Sequence, residues 1–316
     1  MNAVEIAEAI SELARVPFEA EEFAQAADPG GNASCSPGLA PIPGLYCKAV
    51  ARSAPPPVGR MTLDLSASQG KISRRARGQG GGDVMPLSIE PELSSCSVVL
   101  LGKFNPAIIH PSWLHAKGVE SDISEAVTHV DVIHRDISSF RIDTRIYEVR
   151  PDRFLIATTT APWVSVVDIA QHLFGEFLVH TPIHALGINR TVHFHVSSKD
   201  VRNKIGRLLA PIDPWGAFGA QMDTDDPALN GGLQSLTMRR KKRLDKALLD
   251  TNAQVEPSAR LKGDTGIFME INHHHHLLDY DDSKDGALPA VDLLMNQFES
   301  LTTESDDIIN VIMEIS

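Results

Sequence analysis

What most restricts the fold of this chain is the order in which apolar periodicities follow one another, because that order occurs twice. Near Cys96 a short apolar run, SVVLLG, ends at Gly102 and reads as a strand. A brief helix is expected over Pro111–Ala116, with Pro111 suited to a first turn and Gly118 to a C-terminal cap. VDVIHRDISSFRIDTRIYEV and RFLIATTT then read as strands of an antiparallel meander. They place Phe140, Ile142, Thr144 and Ile146 on one face, with a turn at Arg150, Pro151 and Asp152. Thr160 and Pro162 open a helix whose Val166, Ala170, Leu173, Phe174 and Phe177 form an apolar stripe. The order then recurs. RTVHFHV is a strand, and a helix begins at Ser197 with Asp200 at the capping-box position. That helix carries Val201, Ile205, Leu208 and Leu209 on one face and stops at Pro211. LQSLTMRR, AQVEPSARL and GIFMEINHHHHLL are strand candidates, and a last helix from about Pro289 aligns Leu294, Phe298, Leu301, Ile308 and Ile312.

The expected fold class is therefore α+β: two tandem strand-helix-strands-helix units, residues 96–180 and 181–316, with antiparallel sheet packed under long helices. Upstream the texture differs. Residues 1–24 read as an amphipathic helical segment in which Val4, Ile6, Ala9, Ile10 and Leu13 keep near-helical spacing until Pro17. Residues 25–90 are rich in Pro, Gly, Ser and Arg. Their apolar positions lack a period, so they bury too little surface to offset ordering entropy and are expected to be disordered.

Composition narrows the function classes. A hydrophobic content of 42% suits a folded core, while a net charge of −12 argues against a protein that wraps nucleic acid or coats anionic lipid. The three cysteines, Cys35, Cys47 and Cys96, are widely spaced and form no CxxC pair, which points away from a disulfide framework and towards a reducing cytoplasm. The N-terminus lacks the unbroken apolar run of a secretory signal, and no stretch approaches the roughly 18 apolar residues of a membrane span. A cytoplasmic protein with no membrane contact is expected.

SVVLLGKFNPAIIHPSWL and HTPIHALGINRTVHFHV, with SFRIDTRIYEVRPDRFLIATTT, LQSLTMRR and GIFMEIN, resemble a sporadically distributed family of uncharacterised bacterial proteins that carry FNPAI and TPxxxLGIN signatures. The resemblance spans about residues 96–316 and implies a bacterial cytoplasmic setting, but no catalytic residue. Separately, MNAVEIAEAISELARVPFEAEEFA, residues 1–24, resembles the opening of bacterial restriction-modification DNA methyltransferases and stops abruptly at Gln25. Such an enzyme needs a glycine-rich turn for its cofactor and an Asn/Asp-Pro-Pro-Tyr motif to hold the extruded base. The nearest string here, DPWG from Asp213 to Gly216, reads as a plain turn.

Four consecutive histidines inside the chain, His273 to His276, call for a metal reading. Alternation along a strand gives Ile267, Met269, Ile271, His273, His275 and Leu277 one face, and Phe268, Glu270, Asn272, His274 and His276 the other. Two imidazoles at i, i+2 can share an ion, but a zinc site needs three or four ligands and supporting hydrogen bonds. The expectation is thus no metal site, with His273 and His275 as the weak candidates and a partly exposed strand end as the simpler reading. His193 and His195 form a second i, i+2 pair on the less apolar side of their strand, and a sheet joining the halves could bring His180 and His184 towards the tetrad. Asn105 and Asn189 sit near strand boundaries and suit structural turns. The basic cluster Arg239, Arg240, Lys241, Lys242 and Arg243 is the one candidate for phosphate contact, but without interleaved aromatics it reads as a solvated hairpin loop. No GxSxG elbow or P-loop occurs.

These features lean away from an enzyme and towards a non-catalytic protein-interaction or accessory factor, of a mobile or defence system, working through a protein partner or as a homo-oligomer. No cofactor is expected and nucleic acid is disfavoured. The alternatives are a metal-dependent hydrolase using the His-rich strands and a truncated or fused remnant of a DNA methyltransferase.

Overall fold

The computed structural model describes residues 87–224 and 230–315. The expectations for residues 1–24 and for positions 25–86 lie outside the described residues.

The chain enters at β1 (Leu93–Gly102) and passes through the short helix α1 (Pro111–Ala116). It then runs out to β2 (Thr128–His134) and back through β3 (Ile137–Ile142), β4 (Arg145–Val149) and β5 (Arg153–Thr158). Helix α2 (Ser165–Gln171), continued by a π-helical turn over His172–Phe177, leads to β6 (Ile183–His195). Helix α3 (Lys199–Leu209) and the one-turn helix α4 (Gly216–Ala220) follow. The chain then runs out again to β7 (Leu236–Arg243), back through β8 (Ala247–Pro257) and β9 (Gly266–Leu277), and ends in α5 (Leu288–Met313).

The expected fold class is corrected here. The strands form one nine-stranded sheet in the order β2-β3-β4-β5-β1-β6-β9-β8-β7, antiparallel at every pairing, not two tandem units under long helices. The weld is β1 against β6, paired from Leu93↔His193 to Gly102↔Ile183. Among the described residues only α5, at 26 residues, is long. The expected helix through Phe177 is seven α-helical residues followed by six in a π-helical turn. That change of period rotates Phe177 out of the apolar stripe and leaves it 37% exposed.

The sheet buries one face under α2, α3 and α5. Cys96, Val98 and Leu100 of β1, Leu186 and Ile188 of β6, and Phe154 and Ile156 of β5 meet Val166, Phe174, Leu294 and Phe298 in one cluster. Towards the other end of the same face, Val192, Phe194, Ile267, Met269 and Ile271 meet Ile205, Ile309 and Met313. Phe104 of the FNPAI segment is anchored there too, its ring 5.6 Å from Phe174 and 6.2 Å from Phe154. Asn105 accepts the Ala107 amide at 3.1 Å, a local turn as its position before proline dictates.

Several boundaries depart from the periodicity. Asp143 adopts a left-handed φ of 54°, so the β3–β4 turn resets the alternation: Tyr147, not Ile146, joins Phe140 on the helix face, their rings stacked at 4.8 Å. Strand β6 begins nine residues before Val192 because Gly187 and Asn189 mask its apolar face in the sequence. The cap of α3 is Ser198, whose hydroxyl accepts the Val201 amide at 3.2 Å, and Leu208 is 59% exposed instead of sharing the buried stripe. The basic cluster is no hairpin loop, since β7 continues in register with β8 as far as Arg243↔Leu248.

Candidate functional site

The histidine tetrad lies wholly inside β9, whose ladder with β8 continues past Asn252↔Asn272 and closes at Ala247↔Leu277. Alternation divides it as expected, but the inward pair is no exposed strand end. His273 and His275 are both 0% exposed, in the core beneath α5. His273 is fully engaged: its Nδ1 meets the Thr251 hydroxyl at 3.1 Å and its Nε2 meets the Ser305 hydroxyl of α5 at 2.9 Å. Neither ring nitrogen of His275 has a hydrogen-bond partner among the described residues. Burial draws both imidazoles down to about 4, so at neutral pH they are uncharged. Leu186 and Leu249 flank His275 in the ladder, leaving no carboxylate or thiol beside it. These weak metal candidates are therefore core residues.

The outward pair is different. His276 is exposed and His274 half-buried, and opposite them on β6 stand Ala185 and Gly187. A register shift at Leu101/Gly102 leaves His184 as the extra residue of a bulge. Its ring lies 6.4 Å from that of His276. His180 stays exposed in the preceding connection. Of the second i, i+2 pair, His193 is 2% exposed, bonded through Nδ1 to the Ser258 hydroxyl at 2.8 Å and packed at 5.0 Å on Phe268. His195 is exposed and meets the Thr265 hydroxyl at 2.9 Å. The two do not share a ligand. Among the described residues, no group of three or more His, Cys, Asp or Glu side chains could hold a metal ion.

Asn189 belongs to a row that crosses the second face in register: Ser97, Asn189, Asn272, Asn252. Its Nδ2 donates to Ser97 Oγ at 3.0 Å, and Asn272 Nδ2 donates to Asn189 Oδ1. The relay fixes each amide's orientation and locks β1, β6 and β9 side to side. Arg190, its neighbour in LGINR, turns the other way into the core. It is 2% exposed and bonds Asp306 of α5 at 3.0 Å and the Ser94 hydroxyl at 2.7 Å, with its guanidinium 4.6 Å from the centre of the Trp163 ring. Burial raises the Asp306 carboxyl in spite of this partner, and the same burial pushes the neighbouring Cys96 thiol up to about 12, which makes it unreactive. The DPWG string forms a single 3₁₀ turn over Asp213–Trp215.

The basic cluster lies on an edge strand. Arg239 grips Asp250 of β8 with both Nε and Nη2, and Arg240 reaches Glu304 of α5. Lys241, Lys242 and Arg243 are exposed on this edge strand. At the far edge, β2 is the reverse. Val130, Val132 and Ile133 are 45%, 36% and 46% exposed, while Asp131 is turned back onto the Ser139 hydroxyl at 3.0 Å and the His129 imidazole at 3.2 Å. Sequence reasoning passed over this edge because an alternating Val/Ile run reads the same whether its strand is central or terminal.

No protein-family model matches the chain, and no curated protein matches it. Among the described residues no helix is long and apolar enough to cross a membrane.

Proposed function

We propose that this protein is a non-catalytic interaction factor whose contact surface is the β2 edge, and that its first partner is a second copy of itself. The observation that carries this reading is the contrast between the two edges of the sheet. Strand β7 is guarded by Arg and Lys, the common device that keeps a free edge from pairing. Among the described residues, the outer side of strand β2 has no strand partner and its apolar side chains are exposed, while its one carboxylate is engaged within its own sheet. Exposed apolar area on a pairing-competent strand favours strand addition, with backbone bonds giving affinity and side chains giving register. Antiparallel self-pairing centred between Val132 and Ile133 sets these two residues opposite each other and places Asp131 opposite His134. The polar groups of the core support the same reading: Arg190, His273 and Asn189 are all spent on tying strands and α5 together.

Sedimentation of the full chain over a range of concentrations tests it. A concentration-dependent dimer is expected, lost in the Val132→Lys/Ile133→Lys double variant with its melting temperature unchanged. Hydrogen exchange should slow over residues 128–134 as the wild type associates. A wild type that stays monomeric at every concentration, or a dimer indifferent to the double variant, overturns the reading.

A further inference from the structure

The contact surface just described leaves His275 without a role. It stands with His273 at i, i+2 on the face of β9 that α5 covers, and neither side chain is exposed. His273 has a hydroxyl on each nitrogen, Thr251 of β8 and Ser305 of α5, and both oxygens can accept an N–H. His275 has nothing comparable: among the described residues neither of its ring nitrogens meets a donor or an acceptor. Its ladder neighbours Leu186 and Leu249 belong to the cluster that Leu294, Phe298 and Leu301 of α5 close. A buried polar group in that condition is rare, because it gives up hydration and gains no bond. We infer that α5 is an acid-released latch: a proton taken up by His275 leaves two N–H groups with no acceptor, and the helix lifts from the sheet while β6, β8 and β9 stay paired.

The helix can leave without breaking a ladder. It follows β9 through residues 278–287, and its base is pinned where the Ala287 amide donates to the Val179 carbonyl at 2.9 Å. Gly286 permits that close approach, since a Cβ there would collide with the same carbonyl oxygen. Beyond this pivot, His273 holds Ser305, Arg190 holds Asp306 at 3.0 Å, and Arg240 holds Glu304 at 2.6 Å. An ionisable group takes part in each of these ties.

The charges around the pair favour release in acid. Alternation puts Arg190 of β6 and Arg240 and Lys242 of β7 on the same face as the two imidazoles, all of them positive. On α5, Glu304 and Asp306 are bonded to Arg240 and Arg190, and on α2 and its π-helical turn Asp168 and Glu176 are exposed. Glu304 and Arg240 act on His273 with opposite sign, whereas the groups that act on His275 by charge are His273 and His274, which oppose a further proton. Burial draws both inward imidazoles down to about 4 from 6.5, so between those values the released helix binds the extra protons. The docked state is whole above pH ~6.5 and loses ground as pH falls towards 4, by about 30-fold for each imidazole at pH ~5, a factor of about ten per pH unit. Burial also raises the Asp306 carboxyl, so acid takes its charge and loosens Arg190 in the same direction.

Hydrogen exchange of the full chain at about pH 7, 6 and 5, read by mass spectrometry as protection relative to the intrinsic rate at each pH, tests the latch. Residues 298–312 should lose ~100-fold or more of their protection between the first and last condition, while β4, β6 and β9 keep theirs. In His275→Leu that loss should be about 30-fold smaller. His275→Gln, which keeps a polar side chain but takes up no proton, should show the same reduction and serves if leucine disturbs the packing. His276→Ala, which removes the exposed neighbour, should behave as the wild type does. Strands that lose protection together with α5 would show global unfolding and overturn the inference. So would a helix equally protected at all three values, or His275 variants that release it as readily as the wild type. The Val132→Lys/Ile133→Lys protein should show the same release, so failure of the latch and failure at the β2 edge are told apart.

Discussion

At the scale of single residues, the most informative side chain is Arg190. A guanidinium 2% exposed is tolerable only because Asp306, Ser94 Oγ, the Ser95 carbonyl and the Trp163 ring surround it. Arg190→Met should therefore destabilise the protein by about 3–5 kcal/mol, since it strands a buried carboxylate, and adding Asp306→Leu should return much of the loss. Equilibrium urea unfolding of the single and double variants measures both. His193 gives a pH dependence of defined sign. Burial, aided by Arg260, draws its folded value down to about 4 from an unfolded value near 6.5. Between those values the unfolded chain binds the extra proton. Stability is thus whole above pH ~6.5, declines as pH falls to about 4, and loses up to about 3 kcal/mol on this account. Urea unfolding of wild type and His193→Gln across that range isolates the contribution, which should be missing from the variant. Alternation alone made the split of the tetrad legible in the sequence. The Arg190–Asp306 pair was not legible, because its members are 116 positions apart and nothing local distinguishes a buried arginine from a solvated one.

At the scale of elements, sequence patterns located the strands and helices better than they placed their ends. β9 and α5 were plain from period. β6, β7 and β8 proved longer than their apolar runs, since Gly187, the basic cluster and Asp250-Thr251-Asn252 all sit inside ladders that tertiary pairing extends. The guard on β7 and the bare apolar edge of β2 can be told apart only once the strand order is known. The predicted loss of self-association in the Val132→Lys/Ile133→Lys protein is a statement about that difference between elements. Similar charges placed on β7 should have no such effect, because its edge already carries Lys241, Lys242 and Arg243.

At the scale of the whole molecule, the repeated order of elements was visible in the sequence, but the weld was not. On both flanks the chain leaves a central strand, reaches the outer edge, and returns through a meander to lie beside the strand it left. Pairing of β1 with β6 makes the flanks one body, and α5, rooted after β9, packs on β6 and on α2. Separately expressed segments 87–180 and 181–316 should consequently remain unfolded by circular dichroism, whereas the intact chain should melt the described region in a single transition. The seam also governs how the protein is made. Ser97 and Asn189, bonded across it, are 92 positions apart, and Ser88 meets Asn310 over 222. Contacts so distant in sequence form slowly, because chain entropy must be given up before they return any stabilisation. Until β1 and β6 meet, the apolar residues of both strands lack the partner that covers them in the finished sheet. The chain is thus most exposed to wrong pairing with its neighbours early in its life, and its yield on refolding depends on how dilute it is while that search proceeds.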